Sequence, residues 1–325
     1  MRMTRRALLG GTAALLAAPV GGEARPSGKV ARVALLATTM AAPVIAGLTD
    51  GLRQRGWTQG DNLVLEQRFS EGRAERFPAL VAELLKLNVD VIVTSGSPAA
   101  TAAKSATRTV PIVMAAIIDP VSTGLVASLV HPGGNVTGIS WLGVDLSAKR
   151  LTLLKETAPA IARVAVLFNP ANPGNTLALK ALHAIAPRLG ITLQGQEIRT
   201  PDDFDRAFTA LSGMRPDALF TVADPLMFRN RKQILDFAAQ RRLPAIYEWK
   251  EFVDMGGLMA YGVNLTELFK RAATFVDKIL RGAKPADLPV EQVTQFELAL
   301  NLKTARALGL TIPKTMLLRA DQVIE

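Results

Sequence analysis

The chain has no cysteine in its 325 residues. That absence removes disulfides, thiolate metal ligands, cysteine nucleophiles and a lipid-modified cysteine anchor together. Histidine is nearly as scarce. His131 lies in the turn His131-Pro132-Gly133-Gly134-Asn135 and His183 on a predicted helix, so neither HxxH nor HExxH metal spacing exists. There is no Gly-x-Ser-x-Gly elbow and no glycine-rich Lys-Ser/Thr phosphate loop, and Ser95-Gly96-Ser97 has no histidine nearby to activate a nucleophile. An enzyme is therefore not expected, nor a metal, nor a cofactor. Aromatic residues make up only 5% of the chain, and basic groups such as Arg229-Asn230-Arg231-Lys232 and Arg241-Arg242 lack the aromatic interleaving that stacks bases. These groups read as solvated helix faces, and a nucleic-acid partner is not expected.

Long apolar runs are missing as well. The one near the start, Ala7 to Val20, is broken by Gly10, Gly11 and Pro19 and falls short of the roughly 20 residues a membrane span needs. Preceded by Arg2, Arg5 and Arg6 and followed by Gly22-Glu23-Ala24, it reads as an export signal over residues 1–24, with a mature start near Arg25. The Arg5-Arg6 pair admits the twin-arginine route beside the general one. Cleavage there removes three arginines and one glutamate, so 35 of 38 basic and 27 of 28 acidic residues remain. A periplasmic protein that floats free, as a monomer, is the expectation.

What is present is a two-fold repeat. From Val33 onward, short aliphatic runs alternate with helical patterns, which is how parallel strands joined by helices are written. The strands expected in the first half are Val33–Thr38, Leu63–Phe69, Val89–Ser95 and Ile112–Ile117. Those in the second half are Arg163–Asn169, Thr192–Ile198, Ala218–Ala223 and Ala245–Trp249. Ala31-Arg32-Val33-Ala34-Leu35-Leu36 returns as Ala162-Arg163-Val164-Ala165-Val166-Leu167, and Asp90, Thr94 and Pro98 return as Asp217, Thr221 and Pro225. Gly56 pairs with Gly190, and Pro111 with Pro244, at nearly the same offset. Two similar α/β lobes follow, each a doubly wound parallel sheet. Beyond Trp249 the pattern does not repeat. A strand over Leu258–Val263, an amphipathic helix from Leu265 to Ile279, an extended Pro289–Phe296 and a last helix over Leu298–Leu308 are expected there.

Ligands of such sheets bind outside the carboxyl ends of the strands. The candidate residues at those ends are Thr38, Thr39, Ser95, Gly96, Ser97 and Asp119 in the first lobe, and Asn169, Asn172, Asp224 and the segment around Tyr247 in the second. Ser95, Gly96 and Ser97 precede a helix opened by Pro98, so their hydroxyls and N–H groups suit a carboxylate at its positive end; Ser97 as a plain helix cap fits equally well. Asp119 and Asp224 each precede a proline. They suit a ligand amine, or an Asp-Pro turn that needs no ligand. Tyr247 or Trp249 would meet an apolar part of the ligand.

The chain also resembles a known family. Val91-Ile92-Val93-Thr94-Ser95-Gly96-Ser97-Pro98, the stretch from Asp119-Pro120-Val121 to Pro132-Gly133-Gly134-Asn135-Val136-Thr137-Gly138, Asn169-Pro170-Ala171-Asn172-Pro173, Ala223-Asp224-Pro225 and Gly256-Gly257-Leu258-Met259-Ala260-Tyr261-Gly262 are similar to the periplasmic substrate-binding proteins of ABC transporters of the tryptophan/tyrosine type, within the type I periplasmic binding protein fold. The resemblance implies two lobes joined by three crossings and a hinge. With the repeat it suggests a first lobe of residues 30–139 plus 262–288 and a second of 140–261 plus 289–325. It further implies a small-molecule ligand held in the cleft, an aromatic or branched amino acid or related carboxylate, with an ABC permease and its ATPase as partners and membrane contact only through the permease. An exported sensor that uses the same cleft to signal to a membrane receptor fits the sequence as well.

Overall fold

Val33, Ala34, Leu35 and Leu36 are all fully buried, a run that only a strand covered on both faces can use. The same holds for Val164 to Leu167. In the computed structural model, which describes residues 30–325, these runs become the central strands of two sheets.

In chain order the first part contains β1 (Ala31–Ala37), α1 (Ala42–Arg53), β2 (Leu63–Phe69), α2 (Phe77–Lys86), β3 (Val91–Ser95), α3 (Ser97–Ala106), β4 (Ile112–Ile118) and β5 (Val136–Trp141). The second contains α4 (Gly143–Thr157), β6 (Arg163–Phe168), α5 (Pro173–Ile185), β7 (Thr192–Glu197), α6 (Asp203–Met214), β8 (Ala218–Thr221), α7 (Pro225–Arg229), α8 (Arg231–Gln240), β9 (Ala245–Tyr247), α9 (Lys250–Asp254) and β10 (Met259–Gly262). The remainder comprises α10 (Leu265–Leu280), β11 (Glu291–Val293), β12 (Glu297–Asn301), α11 (Leu302–Leu308), α12 (Lys314–Leu317) and β13 (Gln322–Ile324).

The first sheet has the order β11-β5-β4-β3-β1-β2 and the second β13-β12-β10-β9-β8-β6-β7. The five core strands of each lobe thus repeat one winding. Every pairing is parallel except that of β10 with β12. The repeat extends to hydrogen bonds: Arg32 N–H donates to Asp90 Oδ2 at 2.8 Å, and Arg163 N–H donates to Asp217 Oδ2 at 2.8 Å. In each lobe an aspartate at the foot of the third strand therefore ties down the first.

Three crossings join the lobes: at Leu142 after β5, at residues 263–264 after β10, and at residues 294–296 after β11. The expected boundaries shift accordingly. The break at 139/140 cuts β5, whose Ser140 and Trp141 pair with β4 and β11 of the first sheet. The break at 288/289 misplaces β11, which pairs with β5 before the chain crosses back. The helix expected over Leu298–Leu308 begins only at Leu302, because residues 297–301 form an antiparallel pairing with β10. After the second crossing, α10 locks onto α1 of the first lobe. A Cβ on Gly47 would lie 2.2 Å from the Thr266 carbonyl oxygen and one on Gly51 2.7 Å from Ala273 Cβ, so the two helices approach at backbone distance.

The expected export signal over residues 1–24 lies outside the described residues. Among the described residues no helix is long and apolar enough to cross a membrane.

Candidate functional site

The strand ends of the two sheets face one another across a narrow cleft, with about 30 Å³ of free volume for water-sized centres. Its wall is built mostly from the residues just past the strands and from the first turns of the helices that follow. From the first lobe come Thr38 and Thr39 after β1, Ala41 and Val44 at the start of α1, Ser95 and Ser97 around the start of α3, and Ala116 and Ile118 in β4. Asn172, Ala223, Pro225, Phe228 and Trp249 come from the second lobe, with Trp141 and Leu265 at two of the crossings.

Local sequence explains this convergence. α1, α3, α5 and α7 each carry a proline in the first turn, where its fixed φ suits a helix start and its missing N–H costs nothing. The positive ends of these helices therefore face the cleft. α5 and α7 are capped by Asn172 and Asp224, which accept from Gly174 N–H and Leu226 N–H at 3.1 and 2.8 Å. Ala41 and Gly96 hold the capping positions before α1 and α3, and no side chain caps either helix. Ser97 is the first residue of α3 and not its cap, and no protein group bonds its hydroxyl or that of Ser95 among the described residues.

β4 deforms where it meets the cavity. Its register with β5 shifts between Met114 and Ile117, and Ala116, within the shift, has φ +57. Left-handed backbone at a non-glycine residue costs about 1–2 kcal/mol, and such strain concentrates at binding sites. Here the bulge brings both Ala116 and Ile118 to the cavity wall.

Two indoles flank the space. Trp141 and Trp249 stack with ring centroids 6.4 Å apart and planes at 17°, and Phe228 meets Trp249 edge-on at 5.5 Å. Both indole N–H groups are buried without a hydrogen-bond acceptor in the protein. Each such orphan donor costs about 1–3 kcal/mol, a cost that an arriving acceptor removes.

The structure brings Thr38, Thr39, Ser95, Ser97 and Asn172 to the cavity wall. Gly96 lies just behind it with φ +85, and a Cβ there would meet Pro225 Cγ of the other lobe at 2.8 Å. The expected pair of acids does not converge. Asp119 borders a separate depression with Val121, Leu142 and Asp145, where its Oδ1 accepts from Ser122 N–H at 2.9 Å, closing an Asp-Pro turn. Asp224 is fully buried, and its oxygens accept from Leu226 N–H, from Asn172 Nδ2 at 2.7 Å and from Asn169 Nδ2 at 3.4 Å. Burial pushes its carboxyl up to about 6 against the pull of those donors. Asn169 is tied into the same network: its N–H donates to Asn175 Oδ1 and its Oδ1 accepts from Ala171 N–H. Tyr247 points into the second lobe, where it stacks on Phe252 at 4.5 Å, and Trp249, two residues on, takes the place at the wall.

Trp141, Phe228, Ala116, Ile118 and Leu265 are wall residues that sequence reasoning missed. Phe228 and Leu265 sit in first helical turns, so treating every helix start at a strand end as part of the cleft would have found them. Ala116 has no such signal, since its place depends on the bulge.

Next to Trp249, Glu248 and Arg150 form a fully buried ion pair at 3.9 Å. Thr221 Oγ1 donates to Glu248 at 2.6 Å, Arg150 donates to Ser147 Oγ at 3.1 Å, and the guanidinium lies 5.4 Å from the Phe220 ring centroid. Burial raises the Glu248 carboxyl and Arg150 draws it back down.

At the mouth the lobes touch. Arg229 pairs with Glu71 and donates to Thr39 Oγ1 at 3.3 Å, while Arg73 pairs with Asp202 at 2.9 Å. Paired α/β lobes of one winding, three crossings and a cavity between facing strand ends define a type I periplasmic binding protein. Residues 29–324 match the family described as ABC transporter substrate binding protein. The chain belongs to that family. It is 28% identical over 265 residues, 81% of its length and 76% of the relative's, to a tyrosine-binding protein of Clostridioides difficile. The structure of an ABC domain from Streptococcus pneumonia in complex with L-Trp superposes with a TM-score of 0.83 at 26% identity, covering 90% of this chain and 99% of that one. A ligand-free, open substrate-binding protein with adhesive properties from Clostridium difficile gives 0.61 at 25% identity, covering 91% and 99%.

Proposed function

We propose that this chain is the extracytoplasmic receptor of an ABC importer. It captures an aromatic or branched amino acid, or a related carboxylate, between its lobes and delivers it to a membrane permease driven by an ATPase. The observation that carries the reading is the cavity wall itself: partnerless serine hydroxyls at the uncapped start of α3 opposite two indoles and a phenylalanine, which suits a small molecule with a carboxylate at one end and an apolar body. Family membership and the named ligands of the two relatives, tyrosine and L-Trp, point the same way. Closure by rotation about the crossings would sequester the ligand and present one shape to the permease. The protein works as a monomer at the outer face of the membrane, with no contact to the bilayer of its own.

A thermal-shift panel followed by calorimetry tests this. A member of the class should bind saturably, one per chain, and Ser95→Ala combined with Trp249→Ala should weaken it at least tenfold. Unchanged affinity in that double variant would move the site elsewhere.

A further inference from the structure

No acidic or basic side chain lines the cavity among the described residues. A free amino acid carries an ammonium group that in a dry site needs a carboxylate or several acceptors, because an unpaired buried charge is far costlier than a neutral polar group. The carboxylates that come near are already engaged. Asp224 lies behind Asn172 with both oxygens hydrogen-bonded, and drawing it forward would uncap α7 and release Asn172. Glu71, at the mouth, is paired with Arg229.

What does face the space is neutral: helix starts that donate, and hydroxyls that can donate or accept but carry no negative charge. α1 and α3, with 12 and 10 residues, turn N-termini that no side chain caps toward it. Ser95 and Ser97 add hydroxyls without protein partners. Behind this surface Trp141 and Trp249, 2% and 4% exposed, line the wall with rings whose buried N–H groups can only donate and have no protein acceptor. The resulting field favours negative charge at one end.

We propose that the cavity selects an aromatic or branched carboxylate that lacks the α-ammonium, such as a 2-oxo acid, over the amino acid with the same side chain. The inference rests on the carboxylate reading above. Helix starts and serines hold the carboxylate, and the indole rings of Trp141 and Trp249 pack against the apolar body.

Matched pairs test it by calorimetry on the whole chain: indole-3-pyruvate against L-tryptophan, phenylpyruvate against L-phenylalanine, and 4-methyl-2-oxopentanoate against L-leucine. The expected result is an oxo acid bound at least tenfold tighter than its partner, with Ser95→Asp inverting that preference. An amino acid that binds as tightly or tighter overturns the inference and leaves the carboxylate reading standing. If no member of any pair binds, both fall together.

Discussion

Arg229, the last residue of α7, reaches over the mouth of the cleft to pair with Glu71 of the first lobe. This bond, the one to Thr39 and the Arg73–Asp202 pair join the two lobes, and a proposed opening of the cleft would break them. Their energy therefore enters the closing equilibrium, not the stability of either lobe.

Partly exposed ion pairs are worth about 0–1 kcal/mol. Arg229→Ala should accordingly release ligand up to about fivefold faster while hardly changing its capture, and high salt should imitate the substitution. Stopped-flow displacement measures this, and a release rate indifferent to both would remove the latch from the account.

Gly72 provides a steric counterpart. Its φ is +83, and a Cβ there would lie 2.7 Å from Pro201 Cγ and 2.9 Å from Leu226 Cδ1 of the second lobe. Gly72→Ala should cost about 1 kcal/mol in backbone strain. Above all, it should prop the lobes apart, so that the liganded variant scatters X-rays as a more extended particle than the liganded wild type. Identical scattering curves would contradict the contact.

Arg150 and Glu248 are both fully buried, so removing one leaves the other without its counter-charge. Arg150→Met should lower unfolding free energy by about 3–5 kcal/mol, and Arg150→Met with Glu248→Gln should recover much of the loss. Urea midpoints of the single and double variants measure the coupling, which strict additivity would refute.

Asp224 carries a pH signature. Its carboxyl is raised from 3.8 to about 6 in the folded state, so between those values the native chain holds a proton that the unfolded chain has released. Its contribution is fully present below about pH 4 and is lost as pH rises through 6, a change on the order of 3 kcal/mol for two pH units. Asp217 runs the other way. Hydrogen bonds from Arg163 hold it down to about 2, so its contribution is present above pH 4 and lost as pH falls toward 2. Stability measured against pH should therefore lose part of its decline between pH 4 and 6 in Asp224→Asn, the raised carboxyl of Glu248 supplying the rest, and lose part of its acid drop in Asp217→Asn.

Much of this architecture was legible from residues alone. The run Leu63–Phe69 matches β2 at both ends, and the recurrence of Asp90 as Asp217 falls on two equivalent positions, each accepting from the first strand of its lobe. The failures share a cause in tertiary context. Leu298-Ala299-Leu300 suits a helix or a strand, and only the neighbouring β10 decides for the strand. Asp119 and Asp224 look alike as Asp-Pro dipeptides, yet one closes an exposed turn and the other a buried cap. Trp141 escaped notice because β5, interrupted by Gly138, was not among the strands expected, so its end was not counted among the strand ends. Its pairing with Trp249 joins residues 108 positions apart in sequence.

The central claim is that a small molecule bound between the lobes holds them in the arrangement described here. Small-angle X-ray scattering of the chain with and without a saturating aromatic or branched carboxylate measures it most directly. A free protein more extended than the liganded one, whose curve in turn matches the closed structure, is the predicted result. Curves that coincide under both conditions, despite saturable binding by calorimetry, would contradict it.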